Sequence, residues 1–329
     1  MAILVTGSAG HLGEALVRAL RGAGRPVRGA DRKSSAFTEC VGSILDRAFV
    51  RGCMQGATAV IHTAGLHKPH VATHSLQEFV DHNVSGTILL LEEAVAAGVG
   101  AFVFTSSTSA LGEALTPRAG EPAAWVTEDT VPVPKNSYGV TKLMAESLCE
   151  FVARKRQLPV VVLRTSRFFA DEDDDANIRR DYALANVQAN EMLHRRVDLE
   201  DVVNAHLLAV EKASSLRFAR YIISATTPFT IEDLTELRRS LPGVVSRLFP
   251  ECESLYAARG WRLFAQIDRV YVNRLARQHL GWRPKYDFAY VMGCLRANRD
   301  FASPLARAVG AKGYHDESFA EGPYPVMGP

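Results

Sequence analysis

Residues 3–13 read ILVTGSAGHLG, a short apolar run followed at once by a turn with three glycines. The run predicts a buried strand, and the apolar residues that follow the turn recur at helical spacing. In such a strand–turn–helix, Gly7 permits the tight turn, Gly10 lets backbone amides approach a phosphate, and Gly13 lets helix and strand pack closely. The stretch therefore predicts a dinucleotide-binding domain, in which the helix directs its positive end at the phosphates.

The rest of the first half alternates short apolar runs with helical patterns, which predicts a Rossmann-type doubly wound parallel sheet of the α/β class. Further strands are predicted at residues 26–30, 59–62, 101–104 and 160–163, and one long helix over residues 76–97. Each strand is apolar at consecutive positions, which suits a sheet that helices cover on both faces.

After Arg164 the pattern changes to an acidic run at residues 171–175, a helix-like stretch at residues 178–192, and then weaker periodicity. We therefore predict a second part, a smaller and mostly C-terminal α/β substrate lobe. The predicted Rossmann domain covers residues 1–165, with 195–225 returning to it, and the lobe covers residues 166–194 and 226–329. Residues 313–329 are expected to form a tail that packs on the surface or frays.

Composition excludes several classes of protein. The chain of 329 residues carries a net charge of only +2, which gives no reason to expect a nucleic-acid partner. Its five cysteines stand singly, which favours reduced thiols over disulfides or a zinc site. No apolar run approaches the ~20 residues of a membrane helix, and the N-terminal run leads into the glycine turn rather than a signal-peptide pattern. We expect a soluble, cytoplasmic protein with no membrane partner.

Asp31 ends the second predicted strand, where an acidic residue binds the adenosine ribose of NAD. Arg32 and Lys33 follow, and a basic residue there can accept the 2′-phosphate of NADP, although both also suit a solvated turn. We expect NAD in preference to NADP, because a carboxylate would repel the 2′-phosphate.

The pentapeptide YGVTK at residues 138–142 places Tyr138 and Lys142 on one face if it is helical. A nearby ammonium and the positive nicotinamide ring would both favour the phenolate, which makes the tyrosine usable as an acid or base near neutral pH. The hydroxyl-rich run at residues 105–109 follows the fourth strand, at the edge of the sheet where ligands bind. Each signal alone is common, and only their combination is informative.

The ordered set of motifs resembles the extended short-chain dehydrogenases/reductases, in their NAD-dependent epimerase/dehydratase branch. The matching segments are TGSAGHLG (6–13), Asp31, TAG (63–65), NVSGT (83–87), FTSSTSALG (104–112), YGVTK (138–142), LR (163–164), VDLEDV (197–202) and LGWRP (280–284). Together they extend over nearly the whole chain.

The resemblance implies a catalytic set of Ser107, Tyr138 and Lys142. Ser107 would hydrogen-bond the reacting oxygen, and Tyr138 would exchange its proton while hydride passes to or from nicotinamide. The resemblance also implies that Ile44 flanks adenine, and that Asn83 supports the structure beside the cofactor. The cofactor-binding residues expected in all are Gly7, Ala9, Gly10, His11, Leu12, Gly13, Asp31, Arg32, Ser43, Ile44, Thr63, Ala64, Gly65, Asn83, Tyr138 and Lys142.

Two departures from the family pattern bear on the substrate. Thr108 and Ser109 occupy positions where nucleotide-sugar dehydratases usually carry an acidic pair, which disfavours dehydration. Arg167 replaces an asparagine that many relatives have; it either clamps a substrate carboxylate or pairs with an acid of the second lobe.

The loop at residues 66–74 contains three histidines. No carboxylate or cysteine stands at ligand spacing, so we expect no metal and interpret the loop as a polar rim of the substrate cleft. The acidic run at residues 171–175 is expected to be a solvated loop. The substrate contacts predicted are His67, Lys68, His70, Thr108, Ser109 and Arg167.

The predicted function is an NAD(P)-dependent oxidoreductase that transfers hydride to or from a hydroxyl or carbonyl carbon of a small polar molecule, such as a sugar or sugar acid. One alternative is an epimerase for sugars or nucleotide sugars that retains its cofactor. The other is a non-catalytic NAD(P)-sensing protein on the same fold. The resemblance further implies a homodimer formed by the helix at residues 76–97 and the helix of Tyr138.

Overall fold

The computed structural model describes residues 2–315 and Phe319, and its strands form two sheets. The strands are β1 (Ala2–Thr6), β2 (Val27–Asp31), β3 (Cys40–Val41), β4 (Ala57–His62), β5 (Ala101–Ser107), β6 (Ala124–Val126), β7 (Val160–Thr165), β8 (Phe218–Ile223) and β9 (Arg269–Tyr271). Seven of them form a parallel sheet in the order β3-β2-β1-β4-β5-β7-β8, and β6 pairs with β9. The predicted Rossmann-type sheet is confirmed.

Fourteen α-helices are present in residues 2–315. They are α1 (His11–Gly22), α2 (Arg47–Met54), α3 (Leu76–Phe79), α4 (Gly86–Ala96), α5 (Ser137–Arg156), α6 (Ala176–Asp181), α7 (Leu184–Met192), α8 (Leu199–Leu216), α9 (Leu234–Leu237), α10 (Leu241–Leu248), α11 (Cys252–Ala257), α12 (Arg274–Leu280), α13 (Phe288–Arg296) and α14 (Pro304–Val309). None of the helices in this described part is long and apolar enough to cross a membrane. The single helix predicted over residues 76–97 is divided by a wider, π-helical turn, Val80–Ser85.

Successive residues of each central strand pack on opposite faces of the sheet. Ile3 and Val5 of β1 are buried against α1 and α8, while Leu4 is buried on the face that α2, α4 and α5 cover. Burying each such side chain contributes about 1.5–3 kcal/mol. Two covered faces explain why the strands are apolar at consecutive positions.

The smaller lobe has an apolar core of its own, built from α7, α9, α10, α11 and α13. Its two-stranded sheet takes one strand from residues 124–126, which the sequence had placed in the Rossmann domain. In the other direction, α12 and α14 pack against α1 and α8 of the Rossmann part, although their sequence lies in the stretch assigned to the lobe. The chain therefore crosses between the two parts more often than the sequence predicts.

Candidate active site

The glycine turn after β1 forms a cradle in which only glycine fits at two places. Gly7 has a φ of +75°, in the region that favours glycine, and a Cβ on Gly13 would lie 1.9 Å from the carbonyl oxygen of Gly7. The turn therefore brings the start of α1 close against the end of β1. Its backbone N–H groups and the positive helix end suit an anionic pyrophosphate, so the cradle fits a dinucleotide.

Asp31, the last residue of β2, fixes this turn from the side. Its carboxylate accepts hydrogen bonds from the backbone N–H groups of Ala9 (3.0 Å) and Lys33 (2.9 Å). A carboxylate has further lone pairs, so it can still accept from ribose hydroxyls. Asp31, Arg32 and Lys33 all line the cleft described next.

A cleft of about 1560 Å³ lies along the carboxyl ends of the central strands. Drug-sized ligands occupy pockets of roughly 300–1,000 Å³, so this cleft has room for a dinucleotide and a second molecule. It is lined by all the predicted cofactor and substrate residues except Asn83 and Lys142. It also includes Leu115, Lys135, Phe168, Phe169, Ile178, Arg179, Arg195, Arg269, Tyr271 and Tyr314, which were not predicted from the sequence.

Ser107 and Tyr138 meet at the wall of this cleft. Ser107 is the last residue of β5, and its hydroxyl lies near enough to the phenol of Tyr138 to lower the pKa of that phenol. Asn136 caps α5 by accepting from the Gly139 N–H (2.9 Å), so Tyr138 lies in the first turn and Lys142 one turn later. The Lys142 Nζ lies behind Tyr138, 5.9 Å from its ring centroid, and donates to the Thr105 carbonyl (2.9 Å).

Burial determines the protonation of this pair. Burial raises the pKa of Tyr138 to about 12, although the hydrogen bond from Ser107 acts in the opposite direction. Burial lowers the pKa of Lys142 to about 8, so its charge is present below that pH and is lost above it. From the sequence we expected the Lys142 ammonium to favour the phenolate of Tyr138. In the structure the phenol is protonated at neutral pH, although Lys142 is largely charged.

Glu146, one turn after Lys142, anchors the same region and was not predicted from the sequence. Its buried carboxylate accepts from the Ser106 hydroxyl (2.6 Å) and the Arg164 guanidinium (2.7 Å). Arg164 is the arginine of the LR motif on β7, so this ion pair joins α5 to the ends of β5 and β7. The cluster holds in place the strand end that carries Ser107.

Asn83 is buried and does not reach the cleft. Its side-chain oxygen accepts from the Leu66 N–H (2.8 Å), and its amide donates to the Leu66 carbonyl (3.1 Å) and the Thr141 hydroxyl (3.1 Å). Asn83 therefore ties the loop after β4 to α5. This arrangement matches the supporting role that the resemblance implied.

Arg167 lines the cleft but is paired with acids. Its guanidinium lies 3.0 Å from Asp173 and 3.3 Å from the fully buried Glu191. The geometry corresponds to the second alternative for Arg167, an ion pair with an acid of the lobe. Asp173 and Asp174 are buried, with Asp174 paired to Lys68, so these two acids do not form the solvated loop that the sequence suggested.

Of the three histidines after β4, His67 and His70 line the cleft, whereas His74 does not. The ring of His67 lies 6.0 Å from that of Tyr138. Burial lowers the pKa of His67 well below its usual range and that of His70 to about 4, so both are neutral at pH 7. Within residues 2–315, no three histidine, cysteine or acidic side chains come together as metal ligands.

Arg269 is a cleft residue from the lobe that the sequence did not reveal. It begins β9 and lines the cleft, and within the described residues its guanidinium makes one hydrogen bond, a long one to the Leu115 carbonyl (3.5 Å). In the described part of the chain it takes part in no ion pair, in contrast to Arg167. A guanidinium with this environment can receive a ligand anion.

The sequence is similar to one family of enzymes. The model of the NAD dependent epimerase/dehydratase family matches residues 3–223. A UDP-glucose 4-epimerase of Erwinia amylovora is 33% identical over 171 residues, which are 47% of this chain and 49% of that enzyme. Sterol demethylase protein B of Methylococcus capsulatus is 30% identical over 239 residues, which are 68% of this chain and 70% of that protein.

A solved structure shows the same likeness. A short-chain dehydrogenase/reductase superfamily protein of Agrobacterium tumefaciens with bound NAD is 26% identical, with a TM-score of 0.65, over 91% of this chain and 97% of that one. The match to the Erwinia epimerase spans only about half of its length, so its substrate does not transfer to this chain. The family match confirms the resemblance found in the sequence. This chain belongs to the NAD-dependent epimerase/dehydratase family and is an enzyme of the extended short-chain dehydrogenase/reductase type.

Proposed function

We propose that this enzyme transfers hydride between NAD and a carbon that carries a hydroxyl or carbonyl group, with Ser107, Tyr138 and Lys142 as its catalytic set. The observation that carries the proposal is that Ser107 and Tyr138 line the cleft together, beside the glycine cradle, with Lys142 behind the Tyr138 ring. Bound NAD would supply or accept the hydride.

The chain's own groups move the proton. A substrate carbonyl oxygen placed between Ser107 and Tyr138 accepts hydrogen bonds from both hydroxyls. The protonated phenol of Tyr138 then gives its proton to that oxygen as hydride arrives at carbon, and recovers it in the reverse reaction. The Lys142 ammonium behind the ring stabilises the phenolate that forms. A screen of sugars, sugar acids and hydroxysteroids for NADH absorbance and for epimerised product tests this activity, and a protein that binds NADH but converts none of these compounds would favour the sensing alternative.

We predict that NAD binds more tightly than NADP, and that Asp31→Ala narrows the difference. The substitution removes a ribose acceptor and a charge that repels the 2′-phosphate, and hydrogen bonds to a charged group contribute about 1.5–3 kcal/mol. Titration of both cofactors measures the effect. Asp31→Asn is the matched variant, because its oxygen can still accept from Ala9. A wild-type preference for NADP would show that Arg32 and Lys33 govern the choice.

We propose a compact hydroxylated substrate with one carboxylate, such as a sugar acid, bound through Arg269 rather than Arg167. The buried acids Asp173 and Asp174 line the same cleft, and they would repel a diphosphate more strongly than a single carboxylate. Calorimetry should therefore show that a hexuronic acid binds more tightly than the corresponding neutral sugar, and that Arg269→Gln removes the difference. Micromolar binding of UDP-glucose would contradict the proposal.

We also propose a homodimer through the outer faces of α4 and α5. Val140, Met144 and Phe151 of α5 are 37–49% exposed and form an apolar stripe, although Leu90 and Leu91 of α4 are buried within the subunit. Light scattering at micromolar concentration should give twice the chain's mass, and Met144→Glu with Phe151→Glu should give a monomer. Leu248→Glu on α10 is the control, and a monomeric wild type would refute the dimer.

The domain division and the location of the protein are likewise proposals. We propose that the chain forms a Rossmann domain and a substrate lobe, and that each residue belongs to the part whose apolar core it packs against. The cytoplasm is proposed because all five cysteines are free thiols.

A further inference from the structure

Residues 310–315 follow α14 and run along the opening of the cleft. Their first contacts are with α1, the helix that follows the glycine turn. The Lys312 N–H donates to His11 Nε2 (3.0 Å), and the Lys312 ammonium pairs with the buried Glu14 of α1. The segment is thus attached to the helix whose N-terminus faces the pyrophosphate site.

The same segment also forms hydrogen bonds with the loops that follow β4 and β7, on the other side of the opening. The Gly313 N–H donates to Asp171 (3.2 Å), which lies after β7. The Tyr314 carbonyl accepts from His70 Nε2 (3.2 Å), and His315 Nε2 donates to the Pro69 carbonyl (2.9 Å), both after β4. Six residues therefore bridge the ends of β1, β4 and β7.

The Tyr314 ring packs where these three places meet. Its centroid lies 5.8 Å from that of His11, 5.9 Å from His67 and 6.1 Å from Phe169. His67 in turn touches Tyr138, so the ring stands between the glycine cradle and the proposed catalytic tyrosine. Lys312, Gly313 and Tyr314 all line the cleft.

We propose that residues 310–315 are a clasp that closes over the bound dinucleotide and must open for it to enter or leave. The proposal rests on the proposed NAD site. The clasp is held by ring contacts, four hydrogen bonds and the Lys312–Glu14 ion pair, so it can open without unfolding either core.

A clasp of this kind favours one class of reaction. A dehydrogenase releases reduced cofactor in every cycle, and a slow clasp would limit its turnover. An enzyme that returns the hydride to its substrate can keep the cofactor through many cycles. The clasp therefore assigns this chain to the second class, a hydride-returning epimerase or isomerase.

The experiment measures NADH association and dissociation by stopped-flow fluorescence in the full-length protein. Tyr314→Ala and Lys312→Ala should each raise both rate constants, by roughly tenfold or more for Tyr314→Ala, because a larger fraction of molecules has the clasp open. Arg307→Ala is the matched control, because the Arg307 side chain is exposed on α14 just before the clasp. It should change neither rate constant. Thermal unfolding of each variant checks that the fold is retained.

The two rate constants separate a clasp from a simple contact. If the residues only contact NADH and do not cover the opening, the substitutions would raise the dissociation rate constant alone. That result would overturn the proposal. Unchanged rate constants in both variants would overturn it as well. Wild-type protein purified with NAD that dialysis does not remove would support it, whereas rapid exchange would contradict it. Failure of NADH to bind to protein from which all bound nucleotide has been removed would instead refute the proposed NAD site.

Discussion

Tyr138→Phe should slow hydride transfer by roughly 10²–10⁴-fold, or about 3–5 kcal/mol of activation free energy, the typical contribution of a positioned general acid. The phenylalanine keeps the ring that packs beside His67 and in front of Lys142. It removes only the hydroxyl that faces Ser107 and would protonate the substrate oxygen. Single-turnover reduction of a substrate found in the screen measures the loss directly.

The same variant should bind NADH within a few-fold of the wild type, because the phenol acts on the substrate and not on the adenosine half. Tyr290→Phe, on α13 of the lobe, is the matched control and should leave the rate unchanged. A Tyr138→Phe enzyme with a near-normal rate would remove Tyr138 from the mechanism. A large loss of NADH affinity would show instead that the hydroxyl holds the cofactor site together.

Glu191→Gln should lower the free energy of unfolding by about 3 kcal/mol or more, the usual cost of removing one partner from a buried ion pair. Glu191 is fully buried, and Arg196 (2.8 Å), Arg195 (2.9 Å) and Arg167 (3.3 Å) surround its carboxylate. The neutral amide would leave these guanidinium groups without their shared counter-charge. Urea unfolding of both proteins at pH 7 measures the difference.

The loss should depend on pH in a defined direction. Burial alone would raise the pKa of Glu191, but the three arginines, Arg167 foremost, lower it to about 2. An acid with a lowered folded-state pKa stabilises the fold above its unfolded pKa of about 4.3, and this stabilisation disappears as the pH falls towards 2. The difference in the free energy of unfolding between the wild type and Glu191→Gln should therefore disappear as the pH falls from about 4.3 towards 2. Glu236→Gln, in the exposed pair with Arg247, should cost under about 1 kcal/mol, and an equal cost for both variants would contradict the argument.

The sequence predicted the parts of this site that depend on local geometry. The spacing of Gly7, Gly10 and Gly13 follows from the strand–turn–helix itself, and strand ends place Asp31 and Ser107 at one edge of a parallel sheet. The short strands β3, β6 and β9 escaped prediction because each has only two or three residues, and the longer β8 was not predicted either. Their existence depends on pairing partners and not on local pattern.

Contacts between distant segments could not be predicted from spacing. Arg167 lines the cleft, where the sequence predicted it. Its ion pairs with Asp173 and Glu191 could not be predicted, because these two acids come together only when α7 packs against the loop after β7. The protonation of Tyr138 likewise depends on burial, which a motif does not reveal. The tail predicted at residues 313–329 lies mostly outside the described residues, and the contacts of residues 313–315 could not be predicted because their partners lie 142–246 positions earlier in the chain.

The pairing of β6 with β9 has a consequence for engineering this family. β6 lies between Ser107 and Tyr138 in the sequence, yet it provides half of the lobe's small sheet, and Glu128 just after it binds the Ile222 N–H of the main sheet (2.9 Å). A chimera that joined residues 1–165 of a relative to the remainder of this chain would import a foreign strand into that sheet. The two parts are thus not interchangeable modules, and a working chimera must carry residues 112–134 together with the lobe that they help to build.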